Sequence, residues 1–242
     1  MYDLITRKFP VGIVSYVADS FDYWSVLTEI LPHLKDVIMA REASAVAPGK
    51  LVIRPDSGNP VDVICGTIQG SYATLDAAIS AVNAEHHEQA SEACEGSHCM
   101  GNDSYTDLVY IAGEDKYYEL TTKFGYNRYD KQYYYVDNYG DEGDTKAVEV
   151  QPTAEQKGSI QVLWETFGGT TTDKGYKLLD SHIGLIYGDS ITTKRAEEIL
   201  RKLADKGFAS GNVVFGVGSY SYQCNTRDTF GFAVKATYTE VD

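Results

Sequence analysis

Cysteine, tryptophan and positive charge are all scarce in this sequence, and long apolar runs are missing. Each shortage excludes something. Four cysteines in 242 residues, Cys65, Cys94, Cys99 and Cys224, are too sparse and scattered for a disulfide scaffold and are expected to be reduced thiols. No run of about 18 apolar residues occurs, so no transmembrane helix is expected; nor does the chain open with the basic-then-apolar pattern of a secretory leader. A soluble, cytoplasmic protein is the expectation. Lys and Arg number 21 against 35 Asp and Glu, a formal charge of −14, which argues against general affinity for nucleic acid or anionic membrane. A local basic pocket for a phosphorylated small molecule stays compatible with that balance. No internal repeat is visible.

With 43% hydrophobic and 23% charged residues, the chain can form one large domain or two modest ones. VGIVSYV (11–17) and LVIR (51–54) read as strands, as do HIGLIYGD (182–189), NVVFGVGS (212–219) and the closing DTFGFAVKATYTEVD. LVIR is continuously apolar, which suits a parallel strand covered on both faces. DVIMAR (36–41) reads as a further short strand. Helices are expected through WSVLTEILPHL, with Asp19, Ser20 and Asp22 as possible caps, and through VDVICGTI and TLDAAISAVNAEHHEQA. TAEQKGSIQVLWETF, which Thr153 could cap, and TTKRAEEILRKLADKGF closed by Gly207, complete the helices. Residues 101–150 hold most of the tyrosines, alternate, and are punctuated by glycine turns, the pattern of an antiparallel meander. The fold class expected is α/β, a parallel core at 1–72 and 151–242 carrying a helix and a tyrosine-rich antiparallel β insertion at 73–150.

The ends of the proposed core strands share a design. Asp19 follows VSYV, Arg54 and Asp56 follow LVI, Asp189 follows GLIYG, and Gly216 to Ser219 follow NVVF. Parallel strands end on one edge, so these groups can converge on one mouth. Gly216, Gly218 and Ser219 can offer backbone N–H groups to an anion, and Arg227 a bidentate contact to phosphate. Asp56 and Asp189 suit ribose hydroxyls or the water shell of magnesium. A sugar phosphate is the implied ligand. Simpler roles exist for each: Asp19 as a helix cap, Arg54 as the partner of Asp56, Asp189 as the cap of the helix near Thr192.

Four segments carry a resemblance: IVSYVADSFDYW, LVIRPDSGNPVDV, KGYKLLDSHIGLIYGDSI and NVVFGVGSYSYQCNTRDTFGFAVKATY. In this order they resemble the nicotinamide phosphoribosyltransferase family of type II phosphoribosyltransferases, with IRPDSGNP the most specific match. The resemblance implies a partial β/α-barrel-type core and a homodimer. It also implies the reaction of nicotinamide with phosphoribosyl pyrophosphate to give nicotinamide mononucleotide and pyrophosphate, with Mg2+ on the pyrophosphate. It sets Ser15 near the nicotinamide amide and Asp19 beside a catalytic histidine or the magnesium pyrophosphate. Arg54 would meet the base and the phosphoribosyl group, Asp56 and Asp189 the ribose side, and Gly188, Gly218, Ser219 and Arg227 the 5′-phosphate. Ser219-Tyr220-Ser221 replaces the family's glycine run. The family's catalytic histidine, with an aromatic residue and an arginine of the site, lies upstream of the matched region, so the chain is expected to be a piece of a longer enzyme.

Other constellations compete less well. His86, His87, Cys94, His98 and Cys99 supply metal-binding atoms at a spacing that fits no zinc motif. Cys224 has no histidine suggested beside it for nucleophilic catalysis. Tyr117-Tyr118 and Tyr133 to Tyr135 could stack bases, but the acids at 137, 141, 142 and 144 favour packing or a protein contact. The alternatives kept open are therefore a nicotinate-using relative and a non-catalytic interaction module.

Overall fold

The computed structural model describes residues 1–94, 102–127, 132–135, 145–188 and 191–216. They fall into two units, Met1–Gly66 with Gly158–Asp242, and Thr67–Lys157. In chain order the strands are β1 (Ile13–Val17), β2 (Lys50–Arg54), β3 (Ile68–Tyr72), β4 (Asn102–Ile111), β5 (Lys116–Asn127), β6 (Gln132–Tyr135), β7 (Lys146–Val150), β8 (Gly169–Thr171), β9 (Lys177–Leu179), β10 (Ile183–Tyr187) and β11 (Val213–Phe215). The protein is mixed α/β, with one parallel sheet and one mixed sheet.

In the first unit β1, β2, β10 and β11 form a parallel sheet in the order β1-β2-β10-β11. Register decides which residues share a face. Val14, Leu51, Ile53, Ile183, Leu185, Tyr187 and Val213 are buried, each aliphatic one worth about 1.5–3 kcal/mol when fully covered. Helices Pro60–Cys65, Ser159–Phe167 and Thr193–Asp205 pack on one another and bury Ile64, Leu163, Ile199 and Leu203. The opposite face carries Ile13, Ser15 and Val17 of β1 beside Lys50, Val52 and Arg54 of β2, with Gly184 opposite Val52 and Ile186 opposite Val214. Ile13, Val17 and Val214 are exposed. Among the described residues the expected covering of both faces therefore does not hold: one face is open there, and the alternation that reveals it lies in exposure rather than in residue type.

Local chemistry explains the helix boundaries. Asp22 accepts the Ser25 N–H (3.1 Å) and hydroxyl (2.9 Å), capping Tyr23–Ser25, which continues through a wider turn at Val26–Ile30 into Leu31–His33. Thr153 and Gln156 bond reciprocally, N–H to side chain in both directions (2.9 and 3.2 Å), a capping box. The helix after them is interrupted at Gly158 (φ 82°), where a Cβ would stand 2.2 Å from the Gly66 nitrogen. Only glycine allows that approach. Thr192 caps Thr193–Asp205. DVIMAR is not a strand: Lys35–Met39 is helical with Ile38 buried. The helix expected through VDVICGTI stops at Cys65, and Ile68–Tyr72 is a strand.

In the second unit the helix Leu75–Cys94 lies on a sheet of order β3-β4-β5-β6, with β7 also on β5. Ala78 and Val82 meet Val109, Ile111 and Leu120. The sheet is not a simple meander, since β3 runs parallel to β4 and both β6 and β7 pair with β5. This unit holds 17 acidic and 6 basic residues, net −11 of the −14. The first unit is left near neutral, at −3, so the chain's acidity does not oppose an anionic ligand there.

Candidate functional site

Because the four strands of the sheet β1-β2-β10-β11 are parallel, Asp19, Arg54, Asp56 and Gly188 all emerge at its carboxyl edge. The Ala18 N–H still bonds the Arg54 carbonyl (3.0 Å), so β1 and β2 stay paired until the functional groups begin. Asp19 Oδ2 then accepts the Asp56 N–H (2.9 Å) and the Ser57 hydroxyl (2.8 Å). Asp19 is thus neither free nor a helix cap; that role belongs to Asp22. Burial raises the Asp19 carboxyl, but the hydrogen bonds from Ser57 and Asp56 outweigh it and hold the group below the usual carboxylate range.

Arg54 Nη2 donates to Asp56 Oδ1 at 2.8 Å, with both side chains about half exposed (43% and 47%). Its Nε is buried and has no acceptor among the described residues. Cation and anion therefore stand side by side at the mouth, with one guanidinium N–H unsatisfied. A Cβ built on Gly188 would lie 4.0 Å from Arg54 Nη2, which sets bare backbone next to the guanidinium. Gly216 backs on to it: its N–H bonds the Tyr187 carbonyl (2.8 Å), and a Cβ there would stand 2.7 Å from the Gly188 Cα. Gly216→Ala is accordingly expected to lower stability by about 1–3 kcal/mol, read as a fall in the urea midpoint followed through Trp24 and Trp164, both of which belong to this unit.

Ser15 lies on the open face in the row Ser15, Val52, Gly184, on the same side as Arg54. A cavity of about 520 Å³ opens on that face, bordered by Lys50, Val52, Asp180, Gly184 and Val214. Burial raises the Asp180 carboxyl, but hydrogen bonds from His182 outweigh it, with the charges of His182 and Lys50 adding to the lowering. Asp189, Gly218, Ser219 and Arg227 lie outside the described residues, as does the strand expected at DTFGFAVKATYTEVD.

Two participants escaped sequence reasoning. Ser57, inside the RPDSG turn, is the second donor to Asp19. Tyr187, ending an otherwise aliphatic strand, is 1% exposed and donates its phenol to the Gly58 (2.9 Å) and Ser57 (3.2 Å) carbonyls. A polar ring at that strand end was the available signal. Of the candidate metal ligands, His98, Cys99 and the Cys94 side chain lie outside the described residues, and His86 and His87 have other partners. His86 is buried between Asp107 Oδ2 (3.0 Å) and Thr122 Oγ1 (3.1 Å), and His87 meets the Phe124 ring edge-on. No group of three His, Cys, Asp or Glu side chains is arranged for a metal among the described residues.

A parallel sheet whose carboxyl edge pairs a guanidinium with carboxylates beside bare glycine backbone offers donors to an anion and acceptors to hydroxyl groups at one place. The profile of the nicotinate phosphoribosyltransferase (NAPRTase) family matches residues 5–83 and 67–242, and the chain belongs to that family. Among curated relatives it is 38% identical over 239 residues to the nicotinamide phosphoribosyltransferase of Acinetobacter baylyi, covering 99% of this chain and 32% of that protein. The Mycoplasma pneumoniae protein of the same name is 31% identical, over 96% of this chain and 33% of its own length. The chain thus spans about a third of the length of these relatives.

Proposed function

We propose that the complete enzyme transfers the phosphoribosyl group of phosphoribosyl pyrophosphate to nicotinamide, giving nicotinamide mononucleotide and pyrophosphate in NAD salvage, and that this chain supplies part of its site. The observation that carries the reading is the Arg54–Asp56 pair at 2.8 Å, anchored to Asp19 through Asp56 and Ser57 beside the bare backbone of Gly188. The bond from the anomeric carbon to the pyrophosphate oxygen breaks as one to the ring nitrogen of the base forms. Positive charge builds at the anomeric carbon, and a preorganised carboxylate needs no reorganisation to meet it. Asp56 takes the ribose hydroxyls, with Asp189 on the same side, and Arg54 lies between base and phosphoribosyl group. Gly188, Gly218, Ser219 and Arg227 take the 5′-phosphate. Ser15 faces the amide of the base on the open side of the sheet.

Magnesium fits this edge as an ion brought by the pyrophosphate, because Asp19 and Asp56 are hard oxygen donors without a third protein ligand among the described residues. When bound, it would neutralise the departing pyrophosphate. The barrel-type architecture, the homodimer and the cytoplasmic location belong to the same proposal. The open sheet face, with Ile13, Val17 and Val214 exposed, supports closure by further elements. Lys50 shares that face, but its charge acts on Asp180, which favours an amide over the carboxylate of nicotinate.

Titration calorimetry of phosphoribosyl pyrophosphate with Mg2+ into the chain tests the reading. Saturable binding is expected, weakened about tenfold or more by Arg227→Ala through loss of a charge-assisted contact. Absence of binding by the wild type would overturn it. Nicotinate mononucleotide binding more tightly than nicotinamide mononucleotide would overturn the base assignment.

A further inference from the structure

We propose that Tyr187 is a positioning residue: its buried phenol fixes the turn between Pro55 and Asn59 and, through Ser57, the Asp19 carboxylate. What the site binds rests on the phosphoribosyl reading; the positioning itself does not. The turn is held firmly at its two ends. β2 enters it, and at its exit Asn59 caps the helix Pro60–Cys65, accepting the Val61 N–H (3.1 Å) and donating to Asp62 (2.8 Å). Its middle, Ser57 and Gly58, lies in no helix or strand, and Gly58 has φ 89°, a region where glycine imposes no preference of its own.

Tyr187 reaches that middle from β10. One phenol proton is shared between the Gly58 carbonyl at 2.9 Å and the Ser57 carbonyl at 3.2 Å, and at 1% exposure water does not compete for it. With its carbonyl held, Ser57 directs its hydroxyl at Asp19 (2.8 Å), next to the Asp56 N–H on the same oxygen (2.9 Å). Asp56 in turn holds Arg54. A rotation of the Ser57–Gly58 peptide would therefore displace Ser57, Asp19 and the Arg54–Asp56 pair together. The residue after Tyr187 is Gly188, beside Arg54, so one strand end sets both walls of the mouth.

Amide hydrogen exchange measured by NMR on the full chain tests this in Tyr187→Phe. Exchange at Asp56 and Ser57 is expected to quicken about tenfold or more, the equivalent of one lost hydrogen bond. The Ile53 and Leu185 amides are expected to keep their rates. Tyr23→Phe is the control. Its phenol is also buried and bonds Ser159 Oγ (2.7 Å), so its loss weakens the same unit without removing a hydrogen bond to the turn. If Tyr187→Phe leaves exchange at Asp56 and Ser57 unchanged, or if Tyr23→Phe quickens it equally, the proposal falls. Calorimetry of phosphoribosyl pyrophosphate with Mg2+ adds the functional arm: binding about tenfold weaker in Tyr187→Phe supports it, and equal binding by both proteins overturns the positioning of the site. If the turn loosens but neither protein binds, the positioning of Asp19 stands and the phosphoribosyl reading fails.

Discussion

Replacing Arg41 by methionine is expected to lower the stability of the first unit by about 3 kcal/mol. Arg41 is 5% exposed, and its guanidinium donates to the carbonyls of Ile5 (2.8 Å), Phe9 (3.1 Å) and Gly12 (2.9 Å). No carboxylate stands among these partners, and the buried Nε has no acceptor among the described residues. Desolvation therefore works against the charge and pulls the guanidinium below its ordinary range. Two effects oppose each other. Methionine removes the cost of the buried cation, but it strands the carbonyls of Ile5 and Phe9, each costing about 1–3 kcal/mol when buried without a donor. The Gly12 carbonyl keeps the Lys50 N–H (3.1 Å) and suffers less. The orphaned carbonyls prevail because, among the described residues, the side-chain bonds joining the turn Leu4–Lys8 to the entry to β1 are those of Arg41. Arg41→Lys is expected to recover less than half, since an ammonium lacks the planar fork that spans three carbonyls. Urea unfolding read through Trp24 and Trp164 measures both; a loss under about 1 kcal/mol for Arg41→Met would show that the clamp is dispensable.

The same arginine shows what a sequence conceals. MAREA carries no periodic signal that would assign Arg41 to the interior, and three carbonyl partners 29 to 36 residues away become neighbours only when the chain folds. Strand identity was easier to read. Runs such as LVIR and GLIY are aliphatic over most of their length, and β2 and β10 fall on them. The caps Asp22 and Thr153 were also legible, because they act on amides three residues away, whereas Asp189 was offered for the helix that Thr192 caps. DVIM was misread since three successive apolar residues, Val37 to Met39, fit a strand or one helical turn equally well, and the segment is helical with Ile38 buried. IQGSY was passed over because its glycine resembles a turn, while its pairing partner β4 lies some 40 residues on. Asp19, Arg54 and Asp56 were singled out from their positions after strands, and the fold brings them together. Ser57 and Tyr187 were not, because their part is to bond backbone and carboxylate contributed by other segments. His86 illustrates the converse error of reading ligand chemistry into packing: it continues the buried stripe Ala78, Val82, Ala90 at four-residue spacing, and its polar atoms are satisfied inside the unit.

Lys206→Met is expected to stabilise the protein by about 2 kcal/mol near pH 7 and to destabilise it slightly near pH 10. Lys206 Nζ donates to the Cys65 carbonyl at 2.7 Å, and burial brings the amine from its ordinary 10.5 down to about 8. In the unfolded chain the amine keeps its ordinary value, so between pH 8 and 10.5 the unfolded state holds a proton that the native state has released. Stability contributed by this group therefore rises with pH through that window, by about 3 kcal/mol in all. Below pH 8 both states are protonated and the full penalty of the buried ammonium is present. Methionine lacks the penalty, which outweighs the roughly 1 kcal/mol lost with the hydrogen bond. Once the wild-type amine is neutral, the bond to Cys65 favours the wild type, and the order reverses. Cys65 acts in the opposite sense: burial lifts its thiol to about 12, so its contribution falls as pH rises above the ordinary thiol value. A wild-type curve alone would blend the two, rising from pH 8 and levelling beyond about 9. The charge of Lys206 itself lowers the Cys65 thiol, so the comparison is made in a Cys65→Ala background, which removes the cysteine from both proteins. Urea midpoints at pH 7, 8, 9 and 10 suffice; a difference that does not change with pH would show that Lys206 is solvated and ordinary.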